Sequence, residues 1–332
     1  MTRCYCRIAI VFFFFAFVGG PPRMAEAKSY VAYISDSPAA ASAYWVTKDA
    51  GFFKKHGLDV DLIFIDGSTR GIQTLISGGV PFTSAVGTAV INGKLAGGDI
   101  AIINSLTNTL PYYVFGKPEI NSPEDLKGRS AAMHIPGTAA DFALRLALKG
   151  IGLSLKDIKG VTVGGAPARV AAVASGQLDF TVGTEAERIR GEKLGLKVVI
   201  DMAKLNIPFQ FNCTVATRRT IRENPDLVQR LVRAMVEAVH YYKNNKEPVV
   251  KIMQKYTRGP SRTFFEEVYD SNKVLLVDDT YPTLEGLKTT LEIQASLDPK
   301  AANAKAEDFV DLRFVEELKK SGFLEKVYGK RQ

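Results

Sequence analysis

Short β-rich runs alternate with helical stretches over the first two hundred residues, and this alternation constrains the fold more than any other feature. Residues 59–66 (DVDLIFID) and 100–104 (IAIIN) have the composition of buried strands. Residues 39–56 and 138–149 have helical composition, and Gly57 is placed to end the first of them in a left-handed conformation. Alternation of this kind produces mainly parallel sheets covered by helices, so we predict an α/β fold.

The chain becomes mostly helical after Cys213. Asn224 and Pro225 are typical of a helix start, and the helix they begin is predicted to end near Asn244. Its apolar residues recur at three- and four-residue spacing, which predicts a face buried in the core and not a partner- or lipid-binding face. These apolar residues are Leu227, Leu231, Val232, Met235, Val236 and Val239.

The first 27 residues have the organisation of a secretory signal. Arg3 and Arg7 precede an apolar run at residues 8–18, and Ala25-Glu26-Ala27 forms a small-x-small ending. The apolar run is much shorter than the roughly 20 residues that a membrane-spanning helix needs. We therefore predict cleavage before Lys28 and a soluble periplasmic protein.

Length and charge restrict the class of protein further. At roughly 100–200 residues per domain, a chain of 332 residues favours two domains. The net charge of +8 comes from short basic runs scattered among 35 acidic residues. Such a pattern indicates a solvated surface, so no nucleic-acid partner is predicted.

Sequence motifs that carry catalysis are missing. The chain has no P-loop, no Gly-x-Ser-x-Gly and no His-Glu-x-x-His. His56, His134 and His240 are far apart and have no carboxylate or cysteine at metal-ligand spacing. Cys213 is the only cysteine beyond the predicted signal, which excludes an internal disulfide. We predict no catalytic residue, no metal and no other cofactor.

Turns that combine small residues with a hydroxyl follow several of the predicted strands. Glycine lets a ligand approach the backbone closely, and a hydroxyl either caps a helix or contacts the ligand. In parallel sheets these turns meet at one edge, where ligands bind beside helix N-termini. A single turn would indicate only a helix cap, whereas their repetition predicts a ligand site. The turns lie at residues 35–38, 66–69, 86–88 and 136–138.

Four segments carry a family resemblance: AGFFKKHGLDVD at 50–61, ISGGVPF at 76–82, SPEDLKGR at 122–129 and ASGQLD at 174–179. In this order they resemble the solute-binding proteins of nitrate/sulfonate/taurine-type ABC importers, within the thiamine-pyrimidine synthase-like superfamily. The resemblance extends from residue 28 to about residue 250.

The resemblance implies a two-lobed periplasmic-binding-protein fold of type II-like form. Each lobe would be a mainly parallel sheet flanked by helices, with the ligand cleft at the hinge. Lobe 1 would combine residues 28–112 with 213–332, and lobe 2 would comprise residues 113–212. We expect a monomer that closes on a small organic anion, carboxylate- or sulfonate-like, and delivers it to the membrane subunits of an ABC permease.

Solute contacts are also implied by the resemblance. Thr138 is the first candidate, since a helix begins there and its free N–H groups suit an anionic head group. Tyr44 and Trp45 could stack on an apolar ligand or pack within the lobe. The predicted ligand-binding residues are Ser37, Tyr44, Ser68, Gly87, Thr88, Asn108, Gly137, Thr138, Ala139, Glu185 and Asn212.

Glu185 departs from a purely anion-binding site. Facing the cleft, it would favour an amine or hydroxyl on the ligand, or repel a plain anion, and Arg169 and Arg188 are candidates to offset its charge.

Two other functions stay open on this sequence. One is a ligand-sensing protein that docks on a membrane receptor after binding its solute. The other is a thiamine-pyrimidine synthase-like enzyme. The export signal and the lack of a cysteine-rich motif argue against that enzyme.

Overall fold

The computed structural model describes residues 29–33, 38–258 and 261–329, so the predicted signal at residues 1–27 lies outside the described residues. The strands are β1 Ser29–Tyr33, β2 Val60–Phe64, β3 Phe82–Val86, β4 Ile100–Ser105, β5 Tyr113–Gly116, β6 Ser130–Met133, β7 Lys159–Thr162, β8 Phe180–Gly183, β9 Lys197–Asp201 and β10 Asn212–Thr217. The α-helices are α1 Pro38–Asp49, α2 Phe52–Lys55, α3 Ser68–Ile76, α4 Gly87–Leu95, α5 Ala139–Gly150, α6 Ala166–Ala174, α7 Glu185–Lys193, α8 Arg218–Glu223, α9 Pro225–Asn244, α10 Lys246–Tyr256, α11 Arg262–Lys273, α12 Leu284–Gln294, α13 Arg313–Lys320 and α14 Phe323–Tyr328.

These strands form two sheets of the same design. The first has the order β2-β1-β3-β10-β4 and the second the order β7-β6-β8-β5-β9. In the first sheet β10 is antiparallel to β3 and β4, and in the second β5 is antiparallel to β8 and β9. The remaining neighbours pair in parallel. We call each sheet with its helices the first or second lobe; the predicted α/β, two-lobed, mainly parallel architecture is confirmed.

Two crossing segments connect the lobes. The chain leaves the first sheet after β4 and enters the second at β5, then leaves β9 and returns at β10. The amides of Phe209 and Phe211 donate to the carbonyls of Asn108 and Thr107, each at 3.0 Å. The crossings therefore lie side by side as a short antiparallel ribbon, which is the geometry of a hinge.

Helices after β10 complete the core of the first lobe. The face predicted for α9 packs inward: Leu231, Val232, Met235, Val236 and Val239 are buried, and Leu227 is partly buried at its margin. Asn224 precedes the helix as predicted, although its side chain makes no capping hydrogen bond. In the part of the chain that the structure describes, no helix combines the length and apolar content needed to cross a membrane.

Candidate functional site

A cavity between the lobes consists of two adjoining chambers. The first, which we call the upper chamber, has a volume of about 280 Å³ and a mostly apolar and aromatic lining drawn from both lobes. The second, the lower chamber, has a volume of about 590 Å³ and lies where several helices begin. Val86 and Tyr112 belong to both linings. The two chambers are therefore neighbours with part of their wall in common.

The lower chamber receives the N-termini of four helices, two from each lobe. Helices α3 and α4 follow β2 and β3 of the first sheet, and α5 and α6 follow β6 and β7 of the second. First-turn residues of all four line the chamber: Ser68, Thr88, Ala139 and Ala166. Helix N-termini present free N–H groups and the positive end of the helix dipole. An anion placed here is favoured from both sides of the cleft.

Seven of the predicted ligand-binding residues lie on the cavity wall. Ser68, Thr88, Gly137, Thr138 and Ala139 line the lower chamber, and Glu185 and Asn212 line the upper chamber. Ser37 lies outside the described residues. The structure thus gathers residues from five separate segments of the chain at one cleft, and their contact with a solute stays a prediction.

Thr138 and Asp141 already occupy part of the α5 N-terminus. The Thr138 hydroxyl caps the helix by accepting from the Asp141 amide at 3.4 Å, and it donates to the Ile135 carbonyl at 2.9 Å. The buried Asp141 carboxylate accepts from the Gly137 amide at 3.0 Å. The backbone amides of Gly137 and Asp141 therefore already donate hydrogen bonds within the protein. The N–H groups of this turn that are left for a solute lie at the start of the helix, at Ala139, so fewer of them are free than the sequence predicted.

Tyr44 and Trp45 pack within the first lobe, which is one of the two roles considered for them. Both side chains are completely buried inside the first lobe, away from either chamber. The Tyr44 hydroxyl lies 2.9 Å from the Thr214 hydroxyl, and Trp45 stacks on Tyr256 with ring centroids 5.1 Å apart. Because α1 presents these rings to the core, they stabilise the lobe and line neither chamber.

Gly87 and Asn108 lie beside the crossing segments and line neither chamber, so their contact with a solute stays a prediction. The Gly87 amide donates to the Gln210 carbonyl at 2.9 Å. The Asn108 side chain accepts from the Ser105 hydroxyl at 2.6 Å and donates to the Tyr281 carbonyl at 2.7 Å. Both residues are engaged in holding the crossing segments.

Gly87→Ala is expected to destabilise the protein by about 1–3 kcal/mol, the usual cost of overpacking. A Cβ at this position would come within 2.5 Å of the Gln210 backbone oxygen, which cannot rotate away. Gly150→Ala at the end of α5 is the matched control, since its Cβ would meet only the Leu205 side chain at 3.9 Å. Urea unfolding of both variants tests the prediction, and equal stabilities would contradict it.

Glu185 faces the upper chamber but its carboxylate is already bound. Arg188 donates to it twice, at 2.7 and 2.8 Å, and the Ser271 hydroxyl of α11 donates at 2.8 Å. These hydrogen bonds lower the pKa of Glu185 although burial alone would raise it. Arg188 thus offsets Glu185 as expected of a counter-charge, and Ser271 ties it to the opposite lobe.

The sequence did not single out Arg169, His134 or Tyr112 as ligand residues, yet all three line the lower chamber. Arg169 lies in the first turn of α6, directly after a predicted strand, so the same strand-to-helix rule could have found it. Tyr112 ends the first crossing segment and makes an edge contact with Phe211 of the second, with centroids 5.9 Å apart. Only the pairing of the two crossings brings that aromatic wall together.

We expect the free energy of unfolding of the unliganded protein to be nearly constant from about pH 7.5 to about pH 6.5 and to fall between about pH 6.5 and about pH 5.5. Burial lowers the pKa of His134 below its ordinary 6.5, with Arg169 adding to the effect, and burial also lowers the pKa of His56 despite Glu237. As the pH falls, these imidazoles therefore bind protons in the unfolded chain before they do so in the folded protein. Their contribution to the free energy of unfolding is fully present above about pH 6.5 and declines below it.

Urea unfolding across this pH range measures the effect. A double variant, His56→Gln with His134→Gln, should show a flatter dependence than the wild type. Parallel profiles would contradict the assignment to these two imidazoles.

Several proteins similar to this chain are named as binding proteins. A Brucella abortus protein named only as a binding protein is 28% identical over 243 residues, covering 69% of this chain and 71% of its own. The periplasmic aliphatic sulphonate binding protein SsuA from Escherichia coli superposes with a TM-score of 0.71 at 17% identity, covering 86% of this chain and 92% of that one.

One structural neighbour is an enzyme. The desulfurization enzyme DSZB superposes with a TM-score of 0.67 at 14% identity, covering 89% of this chain and 99% of that one. At these identities the structural likeness establishes the fold, which is that of periplasmic binding proteins. The family model described as NMT1/THI5 like matches residues 39–248, well over half of the chain. The chain therefore belongs to the NMT1/THI5-like family.

Proposed function

We propose that this protein is the extracytoplasmic solute-binding component of an ABC importer. It captures a small organic anion, carboxylate- or sulfonate-like, when the two lobes close, and it delivers that solute to the membrane subunits of the permease. The observation that carries the proposal is the cavity between the lobes, where four helix N-termini converge on one chamber.

Closure is supported by a contact that joins the lobes beside the cavity. Ser271 of α11, which packs with the first lobe, donates to Glu185 of α7 in the second lobe. The paired crossing segments supply the axis about which such a contact could open and close. We propose that residues 28–112 with 213–332 move as one lobe and residues 113–212 as the other, in a monomer.

Binding without chemistry fits the side chains at hand. The Cys213 thiol is completely buried, and its sulfur donates to the Ala85 carbonyl at 3.2 Å. Burial raises the pKa of this thiol far above its ordinary value, which suppresses the thiolate that a nucleophile requires. Among the described residues no cluster of three or more His, Cys, Asp or Glu could hold a metal ion.

We propose export through the signal at residues 1–27.

A thermal-shift screen of the mature protein tests the proposal, with sulfonates, carboxylates, nitrate, amino acids and pyrimidines as the panel. A solute at ~100 times its Kd stabilises the folded state by ~2.7 kcal/mol, which is readily measured. Native mass spectrometry detects any solute that copurifies. We expect an organic acid to bind and to be recovered unchanged by NMR. A protein that binds no panel member and carries no copurified mass, or one that converts its solute, would refute the proposal.

Uptake of the identified acid by whole cells tests the same proposal. Deleting the gene should abolish import of the identified acid, and the gene with its signal restored should recover it. Import that persists undiminished in the deletion strain would argue for the receptor-docking alternative.

A further inference from the structure

His134 lines the lower chamber, directly after β6 and shortly before α5 begins. Its Nδ1 lies 2.9 Å from the Thr138 hydroxyl oxygen. That hydroxyl donates its own proton to the Ile135 carbonyl at 2.9 Å, so it accepts from His134, and the ring carries its proton on Nδ1. The second ring nitrogen, Nε2, is therefore an unprotonated acceptor when the imidazole is neutral, and it is the nitrogen left to bind a solute.

The carboxylates that line or border this chamber are already paired with cations. Asp141 of α5 forms an ion pair with Arg145 at 3.0 Å. Asp66 forms a weaker pair with Arg70 at the exposed rim, with 3.6 Å between their charged atoms. Neither arginine therefore brings a positive charge that is not already offset within the protein.

Arg169 of α6 also has a counter-charge. Its guanidinium donates to the Val182 carbonyl at 3.2 Å, and Glu187 lies in the first turn of α7, which begins just beyond that strand. Burial lowers the pKa of Arg169, and the electrostatic effects of Tyr112 and Glu187 oppose this. Burial also raises the pKa of Tyr112, so its hydroxyl stays neutral. The three guanidinium groups around the chamber thus face three carboxylates, and an anion that enters brings an additional negative charge.

His134 is the side chain of this wall that can add a positive charge in response. Histidine ordinarily changes its charge between pH 5 and 8, and of the three histidines only His134 lines either chamber. Without a solute, burial and then Arg169 lower the pKa of His134, whereas Asp141 and the Ile135 carbonyl raise it, and the ring is neutral near pH 7. A neutral ring presents the lone pair of Nε2, which repels an anion. A proton on Nε2 turns that nitrogen into a charged donor.

We propose that His134 binds the anionic group of the solute as an imidazolium, so that a proton from the solvent is taken up with each solute. Its Nδ1–H keeps the hydrogen bond to Thr138, and its Nε2–H donates to the anion. This inference rests on the proposed function and adds the residue that makes affinity depend on pH. Because the complex holds the extra proton, affinity is greatest at low pH and falls as the pH rises through the pKa that His134 has in the complex.

Titration calorimetry with straight-chain alkanesulfonates and alkanoates of two to eight carbons tests the inference, because both head groups keep their charge above about pH 6. We expect the Kd of the wild type to be about fivefold or more lower at about pH 6 than at about pH 8. Near pH 7, binding enthalpies measured in phosphate and in Tris should differ by the amount that corresponds to uptake of about half a proton or more per solute.

Nitrogen-15 NMR of the imidazole rings reports the protonation state directly, and the chain has only three histidines to assign. Near pH 7, His134 should show the neutral Nδ1–H form in the free protein. In the complex with the tightest-binding of these probes, it should show the imidazolium.

His134→Gln is the decisive variant, since an amide can donate to the anion but cannot take up a proton. Its Kd should change by less than about twofold between about pH 8 and about pH 6. His240→Gln is the matched control. His240 lies on α9, contacts the ring of Tyr328 and lines neither chamber, so this variant should keep the full pH dependence of the wild type.

Four results would overturn the inference. They are a wild-type Kd that is constant over this range without proton uptake, a His134 ring that stays neutral in the complex, a His134→Gln variant that keeps the wild-type pH dependence, or no binding by any probe. If His134→Gln does not fold, the buffer comparison and the NMR of the wild type decide the question. A probe that binds without proton uptake contradicts this inference alone, because the proposed function is judged by the broad panel and by copurified solute.

Discussion

Thr138→Trp is expected to abolish solute binding, weakening it at least about 100-fold, or ~2.8 kcal/mol at 1.4 kcal/mol per tenfold. Thr138 lies where α5 enters the lower chamber, beside the first-turn residue Ala139. An indole there would fill the space between the helix N-termini of the two lobes. It would also keep the lobes from closing on a head group.

The fold should survive this substitution. Losing the cap on the Asp141 amide costs about 1 kcal/mol, a small part of the stability of a protein this size. Thr138→Ser keeps the capping hydroxyl and should bind the solute as the wild type does. Titration of the solute found by screening, with circular dichroism as the folding control, measures both. Wild-type affinity in Thr138→Trp would place the solute elsewhere.

Trp45→Ala is expected to destabilise the first lobe by about 3–5 kcal/mol, the usual cost of deleting a buried tryptophan. The indole is completely buried, stacks on Tyr256 and makes an edge contact with Tyr33 at 6.0 Å between centroids. Truncation would leave a large void between α1 and α10, because neighbouring side chains collapse only partly into such a space.

Urea unfolding followed by far-ultraviolet circular dichroism is the appropriate measurement, since Trp45 is the only tryptophan and the variant loses its fluorescence signal. Val274→Ala, at a position 72% exposed, is the control and should lie within about 0.5 kcal/mol of the wild type. A loss below about 1 kcal/mol in Trp45→Ala would show that the indole is not part of the packed core.

Much of the architecture could be predicted because its signals are local. Strand composition, helical periodicity and capping residues act within a few residues of chain, so the α9 face and the turns at 66–69, 86–88 and 136–138 could be identified. Parallel pairing then forces strand ends to one edge of a sheet. This is why Ser68, Thr88 and Thr138, far apart in sequence, were expected at one site and lie together on one chamber.

Whether a given helical side chain faces the core or the cavity was harder to predict. Tyr44 and Arg169 both occupy helices that begin near the cleft, and both combine an apolar body with a polar end. Tyr44 turns to the core and bonds Thr214, whereas Arg169 turns to the chamber. Nothing within several residues of either position distinguishes these outcomes, because the orientation of a helix depends on the partners against which it packs.

The amino-acid sequence by itself determined the order of strands and helices, the turns that end the strands and the family to which the chain belongs. Tertiary structure alone decided which side chains face the cavity. Strand β10 returns after a hundred residues to lie between β3 and β4, and the segment before it passes so close to Gly87 and Gly286 that neither could carry a side chain. That closeness joins Phe211 to Tyr112 and places Asn212 on the upper chamber. Contacts of this kind form between segments that are distant in the chain, so no local sequence pattern predicts them. Close packing selects them only once both lobes have formed.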